Sequence, residues 1–485
     1  QQGEHSVRML IGSLTICLSM IAGHWAGTST LDAAEKNSLP NIVLVMADDQ
    51  GWGDVGYYGH SPVKTPVLDE MAASGLRFDR YYAAAPVCSP TRASVLTGRH
   101  PNRLACFKWG HPLRPQETTV AEALQKAGYL CGHFGKWHLG SCRADSPVCP
   151  GNSGFDEWLS APNFYENDPL MSHNGNVIQT QGESSQVPVD FAVDFMKEAQ
   201  KQGKPFLAVI WFGSPHAPHI ASKKFLDMYP DHPKAVANFL GELTGIDAAV
   251  GSLRQSLREL DAADNTLLWY TSDNGALPVG STGGLSGRKG NLLEGGIRVP
   301  GIIEWPAVVK QHRVINDVTC SVDIYPTLLE LAGVTIDKQP LLDGQSLVDL
   351  IRDDGFKRSR GLGFWDYPIG GRSMHAGRML AAQAAEAKAG KQTPWTEVEP
   401  DPSVVGGYSE ADLKGPSAWI DGSFKLHRIP NKAGDAFTFK LFDLAADPKE
   451  KRDLSSDQPD RAAQLKMQLE DWQRSVIHSL NGTDY

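Results

Sequence analysis

From residue 40 onward the chain alternates short, unbroken apolar runs with stretches whose apolar positions recur at helical spacing. NIVLVMADDQ carries the first run, at 42–47. Such a run predicts a strand covered on both faces in a parallel sheet. Thr65-Pro66 starts a helix, with a capping residue followed by Pro in the first turn, and Gly75 ends it. Thr119 and Glu122 form a capping box for a helix to about Ala127, which Gly128 terminates. Residues 129–134 read as a strand, 191–200 as a helix, and 206–212 (FLAVIWF) as a buried strand. Ile246, Val250, Leu253, Leu257 and Leu260 keep helical spacing. Strands follow at 265–271 and 299–305, and Ile324, Leu328 and Leu331 mark a helix after Asp323.

Strands alternating with helices predict an α/β fold with a large, mainly parallel sheet flanked by helices. It spans 38–353. Residues 354–416 are Gly-, Ala- and Lys-rich and poorly periodic. Beyond them AWIDGSFKLHRI and FTFKLFDL read as two short strands, and 462–477 as a closing helix. The expectation for 354–485 is therefore a smaller subdomain, an antiparallel sheet plus a helix.

The N-terminus departs from this pattern. Arg8 precedes an apolar run at 9–23, with small and polar residues up to Ala34. That layout reads as a secretory signal over 1–34, and the run is short for a membrane span. A buried N-terminal helix is the competing reading. An exported protein is expected, periplasmic, extracellular or in a lysosome-like compartment, with no stable membrane span.

Composition changes little: of 485 residues, 41% are hydrophobic and 21% charged. The net charge of −10 argues against a nucleic-acid partner but leaves room for a local basic pocket. Export would permit disulfides. Of the seven cysteines, Cys142 and Cys149 close a short loop and are the first candidate bridge.

In open parallel sheets, ligands bind beyond the carboxyl ends of the strands. Asp48 and Asp49 follow the first run. Lys136 and His138 follow 129–134, His216 follows 206–212, and Asp273 and Asn274 follow 265–271. Asp48, Asp49, Asp273 and Asn274 are all oxygen donors, which suits Ca2+ or Mg2+ better than zinc. Alternatively, Asp49 and Asp273 cap helices or turns. CSPTR, 88–92, places Cys88 at a predicted helix start, where backbone N–H groups and Arg92 make an anion site. That setting would lower a thiol pKa; a small buried thiol before a helix is the plainer reading. Lys289, among glycines in GRKGNLLEGGIRVP, could reach a bound anion or be an ordinary surface lysine. His216 alone would be a structural histidine as readily as a catalytic one.

These residues resemble the type I sulfatases of the alkaline-phosphatase-like superfamily. CSPTR followed by ASVLTGR matches the family's C-x-P-x-R signature. GYLCGHFGKWHLG at 128–140 matches the second signature, departing at Cys131, where Ser or Thr is usual, and in the bulk of Phe134. PNIVLVMADDQGWGDVGYYG, TSDNGA and KGNLLEGGIRVP also match. The resemblance implies that a formylglycine-generating enzyme converts Cys88 to Cα-formylglycine (3-oxoalanine). The hydrated aldehyde would then attack sulfur. It implies one divalent cation, Ca2+, held by Asp48, Asp49, Asp273 and Asn274 and touching the converted Cys88. Arg92 would stabilise that residue. Lys136 and Lys289 would bind sulfate oxygens, His138 would orient or deprotonate the diol, and His216 with Lys289 would protonate the leaving oxygen. SGFDEWLSAPN resembles the N-acetylgalactosamine-6-sulfatase and arylsulfatase A branches. The expected substrate is thus a sulfated carbohydrate or aryl sulfate, with pocket loops from 141–187 and 354–412. Three other outcomes stay open: a phosphonate or phosphodiester hydrolase of the same superfamily, a sulfamidase, or a catalytically silent secreted glycan-binding protein.

Overall fold

The computed structural model describes residues 39–60, 62–391 and 406–485; the signal expected over 1–34 lies outside them. Pro40–Tyr485 forms one compact unit. Its frame is a ten-stranded sheet in the order β10-β2-β9-β8-β1-β7-β3-β4-β5-β6. The strands are β1 (Asn41–Ala47), β2 (Leu76–Phe78), β3 (Leu130–Lys136), β4 (Glu157–Ala161), β5 (Leu170–His173), β6 (Asn176–Gln179), β7 (Phe206–Trp211), β8 (Thr266–Ser272), β9 (Gly301–Glu304) and β10 (Arg313–Ile315). The central strands β8, β1, β7, β3 and β4 run parallel. β9 pairs antiparallel with both β8 and β2, and β5 and β6 close the other edge as an antiparallel hairpin. The apolar runs therefore occupy the centre, where both faces are covered.

The long helices are α1 (Pro66–Ser74), α2 (Cys88–Thr97), α3 (Val120–Gln125), α4 (Gln186–Lys201), α5 (Lys234–Glu259), α6 (Ile324–Ala332), α7 (Ala376–Lys388) and α8 (Pro459–Leu480). Val43 and Val45 of β1 pack into one core with Phe195 of α4 and Ile246 and Leu253 of α5. Ile42, Leu44 and Met46 alternate to the opposite face and are equally buried. The Thr119–Glu122 capping box forms as expected, with both reciprocal bonds made, a device worth about 1 kcal/mol.

A four-stranded antiparallel sheet follows: β11 (Leu362–Trp365), β12 (Ser417–Asp421), β13 (Phe424–Pro430) and β14 (Phe437–Asp443). Leu465 and Leu469 of α8 pack onto Trp419, Leu426 and Leu441 of this sheet. Ions also tie it to the α/β core. The fully buried Lys425 ammonium lies 2.9 Å from Glu294 and 3.1 Å from Glu450. Glu450 also accepts from the Glu294 backbone N–H at 2.7 Å and bonds His427 Nε2 at 2.7 Å.

Several sequence expectations change. AWIDGSFKLHRI is a hairpin of two strands, not one. The region expected to lack periodicity holds β11 and α7. The helix expected near 246–260 begins at Lys234, and the strand at 299–305 shortens to Gly301–Glu304 and runs antiparallel. Cys142 and Cys149 are buried thiols, not a bridge. Among the described residues, no helix is long and apolar enough to cross a membrane.

Candidate active site

Strand register gathers the expected residues at one edge of the sheet. Ala47 of β1 pairs with Ser272 of β8, so Asp48-Asp49 and Asp273-Asn274 leave the sheet side by side. Lys136 is the last residue of β3 rather than part of the loop beyond it. α2 starts at Cys88, behind an extended Val87. The Lys289 loop bonds both neighbours, Lys289 N–H to Ala276 O at 3.0 Å and Gly290 N–H to Pro86 O at 2.9 Å. Gly287 and Gly290 bracket the lysine at φ +78° and +84°, a left-handed backbone that glycine adopts without penalty.

Within the cluster, Arg92 donates to Asp273 Oδ2 from Nε at 3.1 Å and from Nη2 at 2.7 Å, and to the Lys136 carbonyl at 2.9 Å. Its guanidinium lies 5.2 Å from the Trp211 ring centroid. Lys136 Nζ reaches Asp48 Oδ2 at 2.6 Å, and Lys289 Nζ reaches Asp49 Oδ1 at 2.5 Å. Asp49 N–H donates to Asp273 Oδ1 at 3.0 Å, and Asn274 Nδ2 to Asp49 Oδ1 at 2.8 Å. Cys88 Sγ and carboxylate oxygens of Asp48 and Asp273 lie within 4.8 Å of one another.

Burial shapes the protonation states. It lifts Asp48 to about 8, helped by the charges of Asp273 and Asp49 and opposed by Lys136 and Arg92. Burial pushes Asp49 the same way, but Lys289, His216 and Lys136 outweigh it and hold this carboxyl below its usual range. Lys289 is held charged by Asp49 against the pull of burial. Burial, with the cations of Lys136 and Arg92, keeps His138 neutral. His216 falls to about 4, again through burial, with Asp49 opposing. His216 Nδ1 lies 2.6 Å from the Ala217 carbonyl; a carbonyl only accepts, so Nδ1 carries the proton and Nε2 faces Asp49 Oδ2 at 3.7 Å. Burial also pushes the Cys88 thiol up, more than Lys136 and Lys289 pull it down. The expectation of a thiolate eased by the helix start is thus overturned: desolvation exceeds the field of the cations.

Three buried oxygens of this cluster, Asp48 Oδ1, Asp49 Oδ2 and Asn274 Oδ1, accept no hydrogen bond. Buried polar atoms are seldom left so, and converging carboxylate and amide oxygens form the donor set of a hard divalent cation. The residues present therefore fit a metal ion. Both ring nitrogens of buried His138 are likewise without a partner. Asp49 and His138 adopt φ +71° and +56°, a strained left-handed backbone for these residues.

The sulfatase family model matches residues 40–334. The chain belongs to the sulfatase family. Its sheet and small C-terminal sheet are accordingly the alkaline-phosphatase-like fold, and its reaction class is sulfuric ester hydrolysis. This sulfatase is similar to human arylsulfatase A, 34% identical over 380 residues that cover 70% of this chain and 73% of the relative. It is also similar to the dog N-acetylgalactosamine-6-sulfatase, 33% identical over 362 residues, 66% of this chain and 67% of the relative. The solved structure of Ps i-CgsB in complex with k-i-k-neocarrahexaose shares its fold, with a TM-score of 0.74 at 23% identity, covering 90% of this chain and 93% of that one.

The sequence missed two neighbours of this cluster. Phe164 stacks on His216, ring centroids 4.2 Å apart and planes 14° from parallel. Trp211 backs Arg92 from within β7. Neither carries a motif; only the folded arrangement brings them to the cluster.

Proposed function

We propose that this sulfatase hydrolyses a sulfate ester on a sugar or polysaccharide, with Cys88 converted to formylglycine. It would hold one divalent cation, Ca2+, on Asp48, Asp49, Asp273 and Asn274. The observation that carries this reading is the set of buried oxygens of Asp48, Asp49 and Asn274 that accept no hydrogen bond, beside Cys88 and enclosed by the cations Arg92, Lys136 and Lys289. When bound, the converted side chain would supply an oxygen nucleophile as its hydrate, and the cation would neutralise sulfate charge.

The chain's own residues do the rest. Arg92, fixed by Asp273, the Lys136 carbonyl and Trp211, keeps positive charge behind residue 88. Lys136 and Lys289 sit on the metal-side carboxylates, where their ammoniums would meet sulfate oxygens as charge builds. Neutral His138 would take or direct a proton of residue 88. His216 and Lys289 flank Asp49 together and would serve the leaving oxygen, with Lys289 as the proton-bearing member. The similarity to N-acetylgalactosamine-6-sulfatase supports a sugar as the substrate. Export through 1–34 and conversion by a formylglycine-generating enzyme belong to the same reading.

Two measurements test it. Mass spectrometry of the Cys88 peptide from protein made in its native host is expected to show the aldehyde; thiol throughout would refute the conversion. Turnover of an aryl sulfate is expected to exceed that of an aryl phosphodiester and to vanish in Cys88→Ala with the fold intact. Faster phosphodiester turnover would favour the other hydrolase class.

A further inference from the structure

A cavity of about 490 Å3 opens beside the candidate site, lined by Phe164, Glu166, Gln179, His375 and Arg378 among others. Its volume is that of a small-ligand site. It joins the two segments expected to supply pocket loops, since Phe164 and Glu166 follow β4 whereas His375 and Arg378 belong to the start of α7. β4 is parallel to β3 with Ala161 opposite Lys136, so the Phe164 loop rises from the same sheet edge as the sulfate-binding lysine. Phe164 provides the link. Its ring lies on His216 and also lines the cavity, and His216 and Lys289 both face Asp49. Phe164 thus connects the His216 side of the candidate site to this space.

The lining sets an aromatic face among charges of both signs, the Glu166 and Asp168 carboxylates and the Arg378 guanidinium, which suits a sugar ring whose hydroxyls meet the acids and whose anionic substituent meets Arg378. An aromatic face packs against the apolar face of a sugar, and the exposed Glu166 carboxylate accepts from hydroxyls. Arg378 is exposed at the cavity and makes no ion pair among the described residues. A guanidinium so placed matches a sulfate or carboxylate with two parallel hydrogen bonds. His375 adds a second donor beside it.

We propose that this cavity is a second sugar subsite, taking the residue next to the one that loses its sulfate, with Phe164 as its platform and Arg378 as the receptor for a further anionic substituent. The substrate class is thus an oligosaccharide carrying at least one sulfate or carboxylate besides the scissile sulfate. The inference rests on the sugar-sulfatase reading above and narrows it.

The test uses the full chain and a panel of tetrasaccharides from sulfated galactosaminoglycans and galactans, each beside its monosaccharide sulfate. Calorimetric binding to the Cys88→Ala protein is expected to favour at least one tetrasaccharide over its monosaccharide. Arg378→Ala is expected to weaken that tetrasaccharide about 10- to 100-fold, the worth of a charge-assisted contact, with Arg378→Lys between. In the Cys88-containing enzyme, Arg378→Ala should raise KM for the tetrasaccharide and leave turnover of 4-nitrocatechol sulfate unchanged, which also reports an intact fold. A panel with no tetrasaccharide preferred over its monosaccharide, or an equal loss on the aryl sulfate, would overturn the subsite. Failure of the converted wild-type enzyme to cleave any sulfate ester would instead refute the function itself, and the binding comparison would still decide the subsite.

Discussion

Cys88 shows how far a five-residue motif can be read. CSPTR placed a helix start correctly, and Pro90 sits in the first turn of α2. The ionisation of the thiol was misjudged, because the motif says nothing of burial, and burial dominates here. The strand-end reasoning for Asp48, Asp49, Asp273 and Asn274 needed only the apolar runs, since parallel strands deliver their successors to one edge. Removing the divalent cation should therefore abolish aryl sulfate turnover, and adding Ca2+ should restore it. Ca2+ should also raise the melting temperature of the wild type, by mass action, and do so far less for Asp48→Asn. His100 offers a separate test. It is buried, and burial lowers it to about 3 against 6.5 in the unfolded chain. Between those values the unfolded chain binds a proton that the folded chain does not. The stability due to His100 is thus full above 6.5 and lost as pH falls toward 3. Melting temperatures measured from pH 7 to pH 4 should fall less steeply in His100→Asn than in the wild type.

Elements with a single clear period were legible, and those broken by a tight turn or weakly apolar were not. β12 and β13 merged in the sequence because AWID and FKLHRI looked continuous. Yet Gly422, at φ +60° between Asp421 and Phe424, is the glycine a two-residue hairpin turn calls for. α7 escaped because it buries only Ala376 and Leu380, too few apolar positions to show a stripe. Lys425 was invisible for another reason: a lysine in a polar-looking strand reads as solvated, while its partners Glu294 and Glu450 are distant in sequence. Removing one member of a buried ion cluster leaves the others uncompensated. Lys425→Met should lower unfolding stability by about 3–5 kcal/mol in denaturant titrations, and Glu294→Gln added to it should recover part of that loss.

Across the whole molecule, the same sheet edge that assembles the site also concentrates its internal conflict. Asp48 is lifted toward neutrality by burial, with its carboxylate neighbours adding to it, several oxygens and both His138 nitrogens make no hydrogen bond, and two candidate site residues hold a left-handed backbone. None of these choices favours folding; each costs about 1–3 kcal/mol where strain or desolvation is not relieved. Local consistency elsewhere, in the caps, the apolar runs and the aromatic packing, carries them. The backbone at His138 has a design consequence. Asn is at least as tolerant of φ near +56° as His, and it leaves no buried imidazole unpartnered, so His138→Asn is expected to melt no lower than the wild type by calorimetry while losing sulfate ester turnover. A screen that rewards thermal resistance alone would then drift toward inert variants at this position. Engineering this sulfatase for heat would have to hold position 138 fixed and seek its gains elsewhere.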